Sequence, residues 1–266
     1  MYPILFQLGS LPLHTYGLFV GLGFVSTLAI AKHLRRRQGL PDAPIDGLAL
    51  WLIGSGLFFA RAAYVAEHWR AEFANAPFYE VLRVTSGGLM FFGGFLGAVL
   101  TLWLYARFHR ESFLGLADVA SVAVPAAHAL GRVGCFFSGC CHGVVTGSWW
   151  GVCFPGGSPA WRLHAERGLL SAGAHESLPV IPVQLVEALA NALIFAALYF
   201  FHRRLGRFPG LVTGLYLMLY AVLRFNIEFI RGDERQALGF LSIGQAIAVG
   251  TFLFGAALAG KATVCK

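Results

Sequence analysis

Long apolar stretches, separated by short polar connections, occupy most of this chain. Seven are legible, approximately Thr15 to Ala31, Ile45 to Ala66, Gly88 to Ala106, Leu116 to Phe137, Pro182 to Phe201, Leu211 to Ile230 and Leu238 to Ala259. A helix needs about 20 apolar residues to cross a hydrocarbon core of about 30 Å. The pattern therefore predicts an all-α, polytopic membrane protein with seven transmembrane helices, a single integral membrane domain over residues 1–266. Three stretches are broken by charge: the second by Arg61, the fourth by Arg132, and the sixth by Arg224, Glu228 and Arg231. A charged side chain at membrane depth costs roughly 2.5–3.5 kcal/mol even on lenient insertion scales, so these residues call for partners or a ligand.

Composition points the same way. Hydrophobic residues make up 57% of the chain and charged ones 12%, with a mean hydropathy of +0.67; a soluble domain carries about 25% charged residues. Lys32, Arg35, Arg36 and Arg37 follow the first stretch, Arg107 and Arg110 the third, and Arg203, Arg204 and Arg207 the fifth. With seven spans these connections share one side with Lys261 and Lys266. The positive-inside rule makes that side cytoplasmic, with the N-terminus outside and the C-terminus inside. The net charge of +7 then reflects topology and anionic lipid headgroups, not nucleic acid. The first stretch has no basic region before it, so a cleavable signal peptide is not expected.

Two longer connections, near 67–86 and 143–179, fall on the outer side. The first mixes charges of both signs with Trp69, Phe73, Phe78 and Tyr79, a composition suited to headgroup level. The second holds Trp149, Trp150 and Trp161 and reads equally as a lid or as plain connection.

Chemistry enters with the polar residues at membrane depth. Arg61 and Tyr64 lie three apart on one helix face, and Arg224, Glu228 and Arg231 follow intervals of four and three on another. Arg61, Arg132 and Arg224 set against the single carboxylate of Glu228 leave positive charge over, which an anionic ligand would complete. Guanidinium groups clasp phosphate through paired, charge-assisted hydrogen bonds, and the natural phosphate at that depth belongs to a phospholipid. Gly93 and Gly97, four apart, suit close helix packing.

The cysteines are Cys135, Cys140, Cys141, Cys153 and Cys265. Cys135, Cys140, Cys141 and His142 could ligate a soft metal, but adjacent cysteines fit no ordinary zinc-ribbon spacing, and neither metal nor cofactor is expected. A disulfide from Cys140 or Cys141 to Cys153 suits an oxidising outer side, and small buried apolar residues are the plainest alternative.

Motifs along most of the chain resemble one family, the prolipoprotein diacylglyceryl transferases. His14-Thr15-Tyr16-Gly17-Leu18 resembles the family's His-x-Tyr-Gly, and Phe59-Ala60-Arg61-Ala62-Ala63-Tyr64 its arginine-containing second helix. Gly87-Gly88-Leu89-Met90-Phe91-Phe92-Gly93-Gly94 is similar to the glycine-rich third helix. Gly131-Arg132-Val133-Gly134 resembles the start of its signature, which closes on a glycine at Gly143. Pro182-Val183-Gln184-Leu185-Val186-Glu187 matches Pro-x-Gln-Leu-x-Glu, Arg224 through Glu228 to Arg231 matches Arg-x3-Glu-x2-Arg, and Ser242-Ile243-Gly244-Gln245 matches Ser-x-Gly-Gln.

The resemblance implies transfer of a diacylglyceryl group from phosphatidylglycerol to the lipobox cysteine of a secreted lipoprotein precursor, in a bacterial inner membrane, with release of glycerol 1-phosphate. It implies catalytic roles for Arg132, Arg224 and Tyr16, and substrate contacts for Arg61, Tyr64, Gly93, Gly94, Gly143, Gln184, Glu228, Arg231, Ser242 and Gln245. The departures fall at the signature's centre. Cys135 stands for an asparagine, Cys140 for a glutamate, Phe92 for a histidine proposed in many members as base, and Ile181 for another histidine. A phenylalanine accepts no proton, so a base must come from His14, His128 or His142. Cys135, Cys140 and Cys141 form a possible thiol site, such as a covalent relay. A different acceptor, or a phospholipid- or anion-binding transporter on the same scaffold, remains the alternative. A thiol oxidoreductase is disfavoured, because vicinal cysteines differ from Cys-x-x-Cys.

Overall fold

The computed structural model describes residues 4–8, 11–41, 43–74, 76–83, 87–205, 208–232, 237–238 and 240–264. Arg207, Cys265 and Lys266 lie outside them. A hairpin of β1 (Ile4–Leu8) and β2 (Leu11–His14) leads into α1 (Thr15–Arg37). Next come α2 (Ala43–His68), which runs into a π turn at Trp69–Phe73, then α3 (Phe78–Leu82), α4 (Phe91–His109) and α5 (Phe113–Ser138). The second half holds α6 (Pro159–Glu166), α7 (Val183–Leu205), α8 (Leu211–Ile230), a hairpin of β3 (Ala237–Leu238) and β4 (Leu241–Ser242), and α9 (Ile243–Val264).

Apart from α3 and α6, the seven helices among the described residues are long and apolar enough to span a membrane, as the hydropathy pattern predicts. Their burial is inverted relative to a soluble protein. Phe58, Leu193, Phe200 and Phe254 face outward, whereas Gln184, Glu187 and Asn191 are buried. Only an apolar solvent makes that arrangement stable, because exposed hydrocarbon costs nothing in lipid while polar groups must find partners inside the protein.

Two spans start three or more residues later than expected, each for a local reason. The third begins at Phe91, not Gly88, because Gly87 and Gly88 adopt positive φ of 89° and 72° that a helix cannot use. The seventh begins at Ile243, not Leu238, because Leu238 pairs with Leu241 in the hairpin and Ser242 caps the helix.

The chain divides into two compact units, residues 31–119 and residues 1–30 with 120–266. Within the first, α2 and α4 pack so closely that a Cβ on Gly93 would lie 2.5 Å from the Phe59 carbonyl oxygen, and one on Gly97 would lie 2.5 Å from the Phe59 ring. Close helix packing is therefore what the glycine spacing encodes. Arg35 ends α1 by forking onto Glu111 at 2.8 and 3.1 Å while donating through Nε to the Pro41 carbonyl. Those bonds hold the Glu111 carboxyl below its ordinary range. Arg61 lies on α2, and its guanidinium donates to the carbonyls of Glu80, Val81, Gly87 and Gly88 at 2.6–3.1 Å. Tyr64, one turn on, donates to Glu72. The backbone at residues 80, 81, 87 and 88 is thus clamped to the helix, and Trp69, Phe78, Tyr79 and Leu82 are exposed.

In the other unit α8 packs along α9, α7 packs beside α8, and Gly23 of α1 lies against Ala127 of α5. Substituting Gly93→Val is expected to destabilise the protein by about 1–3 kcal/mol, since the obstructing atom is backbone and cannot rotate away. Thermal unfolding in detergent measures the loss; an unchanged melting temperature would show that α2 and α4 do not need this contact.

Candidate functional site

Three helices of the unit formed by residues 1–30 and 120–266 carry polar stripes at helical spacing. α5 presents His128, Arg132 and Cys135; α7 presents Gln184, Glu187 and Asn191; α8 presents Tyr216, Tyr220, Arg224 and Glu228. Residues three or four apart share a helix face, so each stripe follows directly from the sequence.

The stripes converge. Arg132 Nη2 lies 3.0 Å from Glu187 Oε1, a carboxylate whose side chain is 2% exposed. Arg132 Nε donates to His128 Nε2 at 3.2 Å, and the His128 ring lies 5.4 Å from that of Tyr220. On α8, Arg224 Nη1 meets Glu228 Oε2 at 2.7 Å. Glu228 Oε1 accepts from the Ser242 hydroxyl at 2.7 Å. Arg231 lies at the end of α8, within electrostatic reach of Glu187 together with Arg132 and Arg224.

Ser242 and Gln245 form a capping box. The Ser242 hydroxyl accepts from the Gln245 amide at 3.1 Å, and the Gln245 side chain accepts from the Ser242 amide at 3.0 Å. The Ser-x-Gly-Gln motif thereby starts α9 and holds Glu228 at once.

At the other end of the site, α5 closes in a Schellman turn. Gly139, at φ 71°, donates to the Phe136 carbonyl, and Cys140 donates to the Cys135 carbonyl, each at 3.2 Å. This motif normally brings together the side chains five apart that flank it, here Cys135 and Cys140. Cys141 follows in a left-handed conformation at φ 57°, and the three sulfurs lie within 4.8 Å of one another. Hydrogen bonds from Cys135 and Cys140 push the Cys141 thiol pKa well down, whereas those same neighbours push that of Cys140 up. Arg132 lies within electrostatic reach of Cys135 and Cys141, as does Tyr16, which packs against Gly134 from the first turn of α1.

A short backbone ladder fixes this turn. Gly143 donates to the Ile181 carbonyl, Val144 to that of Ile230, and Gly232 to that of His142, at 2.9–3.0 Å. Gln184 Nε2 donates to the Cys140 carbonyl at 2.7 Å. A Cβ on Gly143 would lie 2.7 Å from the Ile181 carbonyl oxygen. The 143–179 connection is ordered above it: Phe154, Ala160 and Val180 are fully buried, and Phe136 packs against them. His164 in α6 accepts the Leu178 amide through Nδ1 at 3.2 Å, and burial, with His142 and Arg167, lowers its pKa.

The geometry gives partners to several of the expected residues. Glu187 supplies a second membrane-depth carboxylate that the charge count omitted. Arg61 directs its donors to its own chain and Tyr64 donates to Glu72; with Gly93 and Gly94 they belong to the other unit. His14 is exposed at the end of β2. His128 already accepts from Arg132, so its Nε2 holds the guanidinium in place. The disulfide to Cys153 is not formed: Cys135, Cys140, Cys141 and Cys153 are free thiols, with Cys140 and Cys141 turned toward Cys135. Sequence reasoning passed over Glu187, Asn191, Tyr216, Tyr220 and His164. The stripes on α7 and α8 could have been found by extending the three-and-four spacing in both directions.

A family model described as prolipoprotein diacylglyceryl transferase matches residues 3–260. Relatives carrying the name phosphatidylglycerol–prolipoprotein diacylglyceryl transferase are similar along nearly the whole chain. That of Nitratidesulfovibrio vulgaris is 31% identical over 94% of this chain and 89% of its own length. That of Chromohalobacter salexigens is 33% identical over 96% and 90%, respectively.

Two outcomes follow from the geometry. Arg132→Ala leaves Glu187 buried without its partner and is expected to cost about 3–5 kcal/mol, whereas Arg132→Met with Glu187→Leu restores much of that stability. Melting in detergent compares the two; equal melting temperatures would mean the pair is not buried. For His164, the folded pKa lies below the unfolded value of 6.5, so its contribution to stability is full above that value and is lost as pH falls below it. Limited proteolysis of the 143–179 segment should therefore accelerate on acidification, and His164→Asn should flatten that response.

Proposed function

The chain belongs to the prolipoprotein diacylglyceryl transferase family, and from that premise we propose that it moves a diacylglyceryl group from phosphatidylglycerol to the lipobox cysteine thiol of a secreted lipoprotein precursor. The observation that carries this reading is the pair of partly buried arginines, Arg132 and Arg224, each held by its own buried carboxylate within one converging site.

The thiol sulfur attacks the glyceryl carbon, the carbon–oxygen bond to phosphate breaks, and the electron pair leaves on the phosphate. Negative charge therefore grows on the departing group. Guanidinium donors already held in place in a dry site stabilise such a group by about 3–4 kcal/mol each, the scale of an oxyanion-hole donor. Glu187 and Glu228 orient these donors without consuming every hydrogen-bonding position, since a guanidinium carries five N–H groups. Gln184 Oε1, buried and without a protein donor among the described residues, suits a headgroup hydroxyl. Tyr16, at the start of α1 and 46% exposed, stands where an incoming substrate could reach it.

We assign the protein to a bacterial inner membrane as a multi-pass protein with its N-terminus outside. The 143–179 segment and the cysteine turn then face the side where exported precursors arrive. One feature favours a second reading, a different acceptor or a lipid carrier: Phe92 stands where many members have a histidine.

Incubating purified protein with phosphatidylglycerol and a lipobox peptide separates the two readings by mass spectrometry. The transferase yields a peptide heavier by one diacylglyceryl group together with free glycerol phosphate, and Arg132→Ala or Arg224→Ala should lower the rate about 100- to 1000-fold. Unmodified peptide with no glycerol phosphate would overturn the assignment.

A further inference from the structure

The thiols of Cys135, Cys140 and Cys141 converge through backbone geometry, not through apolar packing. The Schellman turn juxtaposes Cys135 with Cys140 by two backbone hydrogen bonds, and Cys141 adopts the left-handed conformation that L side chains disfavour. A non-glycine residue in that region is held there only because the surrounding turn fixes it. Three sulfurs within 4.8 Å, partly exposed and unoxidised, form a soft ligand set. The adjacent pair fits no zinc ribbon because a ribbon takes its ligands from two separated knuckles; here one helix end supplies all three.

Resting on the transferase reading above, we propose that Cys135, Cys140 and Cys141 bind a zinc ion as three thiolates and that its fourth position takes the sulfur of the acceptor cysteine. Tetrahedral zinc with bonds of about 2.3 Å separates its ligands by about 3.8 Å, so these sulfurs need only draw together by about 1 Å or less. Three protein ligands leave one coordination position for substrate, the arrangement of a catalytic zinc site and not of a closed structural one. Among the described residues the ligand atoms that cluster are these three sulfurs, without His142, whose ring packs edge-on against that of His164.

Such a site answers the missing base. The acceptor thiol must lose its proton before it attacks carbon, Phe92 cannot take it, and His128 Nε2 is engaged by Arg132. A thiol that coordinates zinc is deprotonated outright, with its proton released to water. The bound sulfur then forms its bond to the glyceryl carbon as the carbon–oxygen bond to phosphate breaks, and the phosphate departs with the electron pair. The thioether product, a weaker ligand than a thiolate, leaves the metal. No oxidant or reductant is required. With the acceptor sulfur bound, four thiolates on a divalent cation carry two net negative charges, and Arg132 lies within electrostatic reach of Cys135 and Cys141.

Cobalt substitution tests the proposal without relying on turnover. Full-length protein purified in detergent under reducing conditions should retain one zinc per chain by elemental analysis. Exchanged with cobalt, it should show a thiolate-to-cobalt charge-transfer band together with the ligand-field bands of a tetrahedral site. Cys135→Ser, Cys140→Ser and Cys141→Ser should each lose stoichiometric metal and lower transfer at least about tenfold, whereas Cys153→Ser should keep the band. A lipobox peptide should shift the ligand-field bands, and the same peptide with serine for its cysteine should not. A chain that holds no zinc or cobalt, bands indifferent to the cysteine peptide, or full transfer by metal-stripped protein would overturn the proposal while leaving the transferase reading intact. Bands that respond to the cysteine peptide while phosphatidylglycerol yields no thioether would support the metal site and remove the transferase reading.

Discussion

A membrane interior penalises unpaired charge, and the Arg132–Glu187 pair is how the unit of residues 1–30 and 120–266 meets that constraint. Its two members come from different helices, so neither α5 nor α7 can rotate or slide without leaving a charge in a dry environment. Register follows from that requirement. With α5 and α7 fixed, Gln184 reaches the Cys140 carbonyl and the ladder through Gly143 can close. Arg224 and Glu228 repeat the solution within a single helix, where spacing alone guarantees the contact.

Much of the fold was legible because lipid imposes a simple rule: each helix must be long and apolar, and both properties are local to the sequence. The arginines of the site were legible for the complementary reason, since charge inside an apolar stretch is visible in one dimension. What was not legible depended on neighbours distant in sequence. Glu187 lies in an apolar stretch as plainly as Glu228 does, yet only the fold shows that it answers Arg132. Arg61 looks equivalent to Arg132 in sequence; its bonds to the carbonyls of Gly87 and Gly88 exist only once those residues turn back toward α2.

Motifs divided similarly into chemistry and scaffolding. Ser242 and Gln245 match the family pattern, and their visible work is to start a helix and hold Glu228. The cysteine stretch shows the limit of spacing arguments. Ligand spacings summarise particular backbones, and a Schellman turn followed by a left-handed residue is a different backbone, able to gather thiols that a linear pattern keeps apart.

The Ser242 hydroxyl is shared between the first turn of α9 and the Glu228 carboxylate. Because α9 is translated after α5, α7 and α8, a nascent chain holding all of those helices can already pair Arg224 with Glu228 but still lacks the Ser242 bond to Glu228 Oε1. Completing the bonds of Glu228 and starting the last helix are therefore one event, since the same hydroxyl does both. Until then Glu228 Oε1 lacks the donor that ties the end of α8 to the start of α9.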